Sequence, residues 1–272
     1  MLQSVQVTRP APRRVLPLPT SQPATSPAFE LADAVAEATQ QARLQMASTI
    51  GYFGASHECP RAVADMCLAT IAQLARLDPT GTLSLRAGSL GGNESLWQEI
   101  LHCAAAHGVT VQLDAQSPEG VDATLALAEA GLKLHQAIGV TLPGRWLRSR
   151  ADAERAAALG LRLRIVKGRR PDPQRPQFDE GVGFLGLISR IAGKAAFVSI
   201  GTHDAALARS AATRLKNAGT PCELELLLGL PRQGALLVAR DLKLPVRVYV
   251  PFGEAWTPYT PGHAGRRPPA GW

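Results

Sequence analysis

The chain has 272 residues, 46% of them hydrophobic, with a formal net charge of +7. That suffices for a full buried core, and a single α/β barrel of this length is ordinary. Aromatics reach only 5%, with no stacking motif and no zinc-finger spacing, which weighs against a nucleic-acid partner. The basic surplus also suits an anionic lipid or a phosphate-bearing ligand and does not choose between them.

In chain order, residues 1–27 form a Pro-rich lead, ending "LPLPTSQPATSP", that cannot hold a regular element. The first 29 residues contain no acid, carry Arg9, Arg13 and Arg14, and lack the apolar core of a signal peptide. No apolar run reaches the ~18 residues of a membrane helix. The expected location is the cytoplasm, with peripheral membrane contact left open. "AFELADAVAEATQQARLQMA" follows, with apolar residues at helical spacing and an acidic start.

Eight short apolar or β-branched runs then recur at intervals of roughly 24 to 34 residues, each fitting one strand and one crossover helix. They are "STIGYFGA", "TLSLRAG", "VTVQLDA", "LHQAIGVTLP", "RLRIVKG", "AFVSIGTHD", "ELELLLG" and "VRVYVPFG". Helices are read in "CPRAVADMCLATIAQLARL", "NESLWQEILHCAAAHG", "SPEGVDATLALAEAG", "SRADAERAAALG", "GLISRIAGKA" and "DAALARSAATRLKNAG". Several open on Ser, Asn or Asp and end on Gly, as caps should. The pattern predicts a (β/α)8 barrel over 28–260, ahead of an open doubly wound sheet. The Gly/Pro-rich tail, residues 261–272, cannot supply a regular final helix, so the outer ring is expected to be incomplete. Cys59, Cys67, Cys103 and Cys222 form no CxxC pair and read as reduced apolar fillers rather than a metal site.

Chemistry in a barrel sits at the carboxyl ends of the strands. The exits carry Arg86, Asp114, Arg164 with Lys167, Thr202-His203-Asp204, and Tyr249 followed by Glu254. Glu223 and Glu225 point the same way along their strand. Such paired carboxylates suit a metal or acid–base site, and equally suit ion pairs with basic side chains of neighbouring strands.

Four of these exits together resemble the proline dehydrogenase family, flavin-dependent (β/α)8 enzymes also found as a domain of proline-utilisation proteins. The segments are Arg164 to Arg170, Gly201 to Asp204, Glu223 to Leu230 and Arg247 to Gly253. "SLRAGSL" and "VQLDAQ" extend the likeness upstream. The resemblance implies FAD over the top of the barrel and hydride transfer from L-proline, or a similar small imino or amino acid, to flavin N5. It implies cofactor contacts from Arg164, Val166, Lys167, Gly168, Thr202, His203 and Glu225. Catalytic roles are implied for Arg86 and Asp114, as an ion pair beneath the substrate, and for Tyr249, Tyr259, Arg266 and Arg267. A membrane quinone is the implied electron acceptor.

The chain departs from the family at several points. Pro143-Gly144-Arg145 replaces Gln-Ala-Tyr, Glu225 replaces Gln, and Arg169-Arg170 replaces Ala-Tyr. Arg86 replaces Lys, and Asp204 replaces Asn. The family's carboxylate-gripping Arg pair falls at Gly262 and His263, with Arg266-Arg267 four residues late. Three functions follow: a proline dehydrogenase, a family member without turnover that binds or regulates, and, least supported, a barrel acting on a phosphate substrate.

Overall fold

A computed structural model describes residues 30–55, 57–77, 81–115, 117–168 and 170–254. The elements run α1 (Leu31–Arg43), β1 (Ala47–Tyr52), α2 (Pro60–Leu74), β2 (Thr82–Arg86), α3 (Glu94–His107), β3 (Thr110–Asp114), α4 (Val121–Gly131) and β4 (Ile138–Pro143). They continue with α5 (Ser149–Ala158), β5 (Arg162–Val166), α6 (Glu180–Ile191), β6 (Val198–Gly201), α7 (Ala205–Asn217), β7 (Cys222–Leu227), α8 (Gln233–Leu242) and β8 (Val246–Phe252). The strands are all parallel and close in sequence order, with β1 pairing β8 from Ala47↔Arg247 to Tyr52↔Phe252. The (β/α)8 barrel read from the sequence is therefore the fold.

Strand alternation divides the side chains cleanly. Outward positions such as Ile50, Leu83, Val111, Leu163, Ile200 and Val248 are fully or almost fully buried against the helices. They form one continuous apolar layer with the inner faces of α1 to α8. Inward positions are polar almost throughout: Thr49, Ser84, Gln112, Arg164, Glu223, Glu225 and Arg247 are all buried. Apolar side chains fill the lumen of most such barrels; here hydrogen bonds and ion pairs do.

The helix ends follow from their caps. Asn93 accepts from the Leu96 N–H, Asp179 from Val182, and Asp204 from Ala206 and Leu207. Gly108 closes α3 at φ 65°, the left-handed region that glycine enters without penalty. Two elements differ from the sequence reading. Helix α6 begins at Glu180, and α8 fills the seventh connection, where no helix was singled out.

The outer ring is the main correction. Helix α1 packs on both β1 and β8. It takes the slot of a helix after β8, so an element from the start of the chain completes the ring. Neighbouring helices are also tied by Arg61–Glu99, Arg155–Glu129, Arg190–Glu154 and Arg209–Asp241. Those pairs are exposed, and each is worth about 0–1 kcal/mol. The buried apolar layer, not the ion pairs, holds the ring.

Candidate active site at the carboxyl ends of the strands

The floor of the mouth is a charged triad. Arg164, 2% exposed, donates from Nη2 to Asp114 Oδ1 at 2.6 Å and from Nη1 to Glu225 Oε1 at 3.2 Å. Its Nε donates to Thr141 at 2.8 Å, and Nη2 also donates to Ser84 at 3.0 Å. The carboxylates are satisfied in turn: Ser84 donates to Asp114 at 2.7 Å and Thr49 to Glu225 at 2.6 Å. Burial works against the Arg164 charge, and Asp114 and Glu225 more than offset it. Side chains from β2, β3, β4 and β7 thus meet at one guanidinium carried by β5.

Tyr249 closes this floor. Its ring centroid lies 4.8 Å from the Arg164 guanidinium carbon, a cation–π contact. Burial pushes its phenol above the ordinary value, and the Asp114 charge adds to that. The ring fits because Gly51 has no side chain: a Cβ there would lie 2.6 Å from Tyr249 Cζ. Phe53 meets Tyr249 edge-on at 6.4 Å, and with Leu227 and Leu230 they form an apolar cluster separate from the main core.

Cations line the rim. Arg86 lies over the Phe53 ring at 4.5 Å. Arg86 and Asp114 are register partners, and the Asp114 charge acts on Arg86. The short ion pair of Asp114, however, is with Arg164. Arg170 is near enough to oppose the Arg86 charge. Lys167 and Arg145, at the exits of β5 and β4, both pair with Glu180, at 3.4 and 2.6 Å. Gly168 takes φ 98°, where a Cβ would lie 2.6 Å from Pro143 Cβ. Only glycine turns the chain there without strain.

His203 is locked by backbone groups. Its Nε2 accepts from the Leu227 N–H at 2.9 Å, so Nδ1 carries the proton and donates to the Pro231 carbonyl at 2.9 Å. The ring staples the β6 exit to the β7–α8 connection, with both nitrogens spent. Burial, then Arg232 and Lys167, hold its pKa below the ordinary value. The sign follows. The native state keeps the ring neutral, while the unfolded chain takes up a proton near pH ~6.5. This contribution is full above that pH and is lost as pH falls through and below it. His203→Ala is expected to cost about 2 kcal/mol at pH 7.5, from two orphaned backbone groups. In denaturant titrations the gap to wild type should narrow at pH 5.5; an equal gap at both pH values would refute the lock.

Of the remaining residues singled out in the sequence, Val166 is buried at the β5 exit. Thr202 is fully buried and accepts from the Asp204 N–H at 3.2 Å. Glu223 and Glu225 pair with Arg247 and Arg164, the ion-pair alternative. No group of metal-ligating side chains occurs among the described residues. Tyr259, Arg266 and Arg267 lie outside the described residues. Among the described residues no helix is long and apolar enough to cross a membrane. Sequence reading missed Phe53 and noted Arg145 only as a departure from the family pattern. Phe53 stands one residue past β1, and a search of every strand exit for aromatics would have found it.

No family model matches the chain. Proline dehydrogenase 2 of Bacillus subtilis (strain 168) is 25% identical over 232 residues, covering 80% of this chain and 76% of that protein. Proline dehydrogenase 1 of the same strain is 24% identical over 242 residues, covering 83% and 80%. Among solved structures, proline utilization A from Corynebacterium freiburgense matches with a TM-score of 0.68 at 16% identity. That match covers 84% of this chain and 29% of the other, so this chain spans under a third of that protein's length. The structural match carries the barrel; the sequence matches each extend across about four fifths of the chain. Across about four fifths of its length the chain is thus similar, at 24–25% identity, to proline dehydrogenases.

Proposed function

We propose that this barrel binds FAD over the carboxyl ends of its strands and oxidises L-proline to pyrroline-5-carboxylate. One observation carries the reading: an aromatic floor faces a cationic rim at the mouth of a barrel related to proline dehydrogenases. Phe53, Tyr249, Leu227 and Leu230 suit a flat, largely apolar ring. Arg86, Lys167 and Arg170 suit the charge of a phosphate-bearing or reduced cofactor. When bound, FAD supplies the hydride acceptor. The protein's share is orientation and electrostatics. Arg164 fixes Asp114 and Tyr249 in place, and Arg86 offers a fork for a carboxylate. Glu225, standing where the family has Gln, has its charge met by Arg164 and Thr49. The electron acceptor in this reading is a membrane quinone.

A second reading, a family member that binds without turnover, draws on the same site. Both His203 nitrogens are committed, and Lys167 is tied to Glu180. The visible spectrum of the purified protein separates the two. Two-band flavin absorbance, present or appearing on addition of FAD, is the expected result, followed by bleaching with proline under anaerobic conditions. No flavin uptake overturns the proposal; uptake without bleaching leaves the second reading. Lys167→Ala is expected to weaken FAD binding about tenfold or more, the scale of one charge-assisted hydrogen bond. Unchanged FAD affinity would remove Lys167 from the site.

A further inference from the structure

We infer that Arg232 is a positioning residue for the mouth of the barrel: through it, helix α1 holds the β7–α8 connection, Leu228 to Arg232, in place beside the proposed cofactor site. The hold itself stands on the geometry below; what the held site receives rests on the FAD reading above.

The seam between α8 and α1 closes the helical ring, and it is built unlike its counterparts. Arg61–Glu99, Arg155–Glu129, Arg190–Glu154 and Arg209–Asp241 tie other neighbouring helices at exposed positions. Between α8 and α1 the link runs through a buried amide. Gln41 shares the core-facing side of α1 with Ala34 and Ala38 and is fully buried. A polar group in that place is costly unless its hydrogen bonds are made. Both ends of this amide are used. Its Oε1 accepts from Arg232 Nη1 at 3.3 Å, across 191 positions of sequence, and its Nε2 donates to Glu37 one turn earlier. The Glu37 charge favours the Arg232 guanidinium, which burial opposes.

The connection held in this way carries site groups. Arg232 is the N-cap of α8, and its carbonyl accepts from the Leu236 N–H at 2.9 Å. Pro231, one residue earlier, supplies the carbonyl that takes the His203 Nδ1 proton. Leu230, before that, packs against the Leu227 and Tyr249 cluster at the mouth. The segment is therefore fixed by His203 on one side and by α1 on the other, with Leu230 between the two anchors. An exposed ion pair would serve the ring alone, as it does at the other seams. A half-buried cation reaching from a mouth connection into α1 couples that helix to the site. Such coupling is reciprocal, so a ligand that settles the connection must also settle α1.

Hydrogen exchange and flavin titration of the full chain test this. In the wild-type protein FAD should slow exchange in α1 as well as at the mouth. In Arg232→Met, exchange across Leu227 to Gln233 should rise about tenfold without any ligand. FAD affinity should fall about fivefold or more, and protection of α1 by FAD should vanish. Arg209→Gln, which breaks the exposed α7–α8 tie, should leave all three unchanged. Wild-type exchange across Leu227 to Gln233 in Arg232→Met overturns the inference. So does a wild-type protein that binds FAD with no change in α1. If Arg232→Met does not fold, Gln41→Leu, which keeps the cation and removes its acceptor, is read the same way. A wild-type protein that takes up no FAD refutes the function proposed above, and the ligand-free exchange of the variant then decides the positioning role.

Discussion

Replacing Arg164 by Met should destabilise the protein by about 3–5 kcal/mol at neutral pH, the cost of stranding buried charges when one partner is removed. Met keeps much of the side-chain volume, so the loss reports charge rather than a cavity. Asp114 and Glu225 would lose their shared cation, with Ser84, Thr49, Tyr249 and Arg86 left beside them. The double variant Arg164→Met/Glu225→Gln should cost less than the sum of its single changes, with coupling of about 0.5–3 kcal/mol. Denaturant unfolding of the four proteins closes the cycle. An Arg164→Met cost below about 1 kcal/mol, or strict additivity, would mean that the triad does not organise the lumen. On the proposed function the same variant also loses FAD, because Tyr249 loses the cation packed against its ring.

The triad was partly legible before any fold was known. Period-two alternation puts Arg164 and Val166 on one face of their strand and Glu223 and Glu225 on one face of theirs. A closed barrel then sends those faces inward. What alternation cannot give is the pairing across the lumen. Arg164 and Glu225 are 61 positions apart, and Thr49 joins them only because β1 closes onto β8. Arg86 and Asp114 illustrate the limit: adjacent strands put them in register, yet Asp114 takes its short ion pair from Arg164. The ring slot filled by α1 was hidden for the same reason, since a helix gives no sign in sequence of which strands it will cover. His203 was misleading in a different way. A histidine at a strand exit looks available for a ligand, and only the positions of the Pro231 carbonyl and the Leu227 N–H show that its nitrogens are already taken. The family likeness pointed to the carboxyl end of the barrel through Arg164 to Gly168. The departures Arg145 and Glu225 acquired meaning only with their partners Glu180 and Arg164 in view.

The second large effect concerns the backbone crossing that carries the β4 and β5 exits. Gly144 extends the ladder past β4, donating its N–H to the Val166 carbonyl at 2.7 Å, and Arg145 donates to Lys167 at 3.0 Å. Helix α6 lies directly on this extension. A Cβ at Gly144 would lie 2.6 Å from Phe184 Cα, and one at Gly183 would overlap the Gly144 carbonyl oxygen and lie 2.7 Å from the Phe178 ring. The obstacle is backbone, which no rotamer change relieves. Gly183→Ala should therefore cost about 1–3 kcal/mol by overpacking, against the small gain alanine gives in an open helix. Gly186→Ala, one turn later with nothing near its Cβ, is the control and should be neutral or stabilising. The site should register the difference as well. Moving α6 outward carries Glu180 away from Arg145 and Lys167, so on the proposed function Gly183→Ala should weaken FAD uptake while Gly186→Ala leaves it unchanged. Equal stabilities for the two variants would mean that α6 does not bear on the β4 exit. A destabilised Gly183→Ala with full FAD affinity would detach the Glu180 cluster from the cofactor and leave it a purely structural clamp.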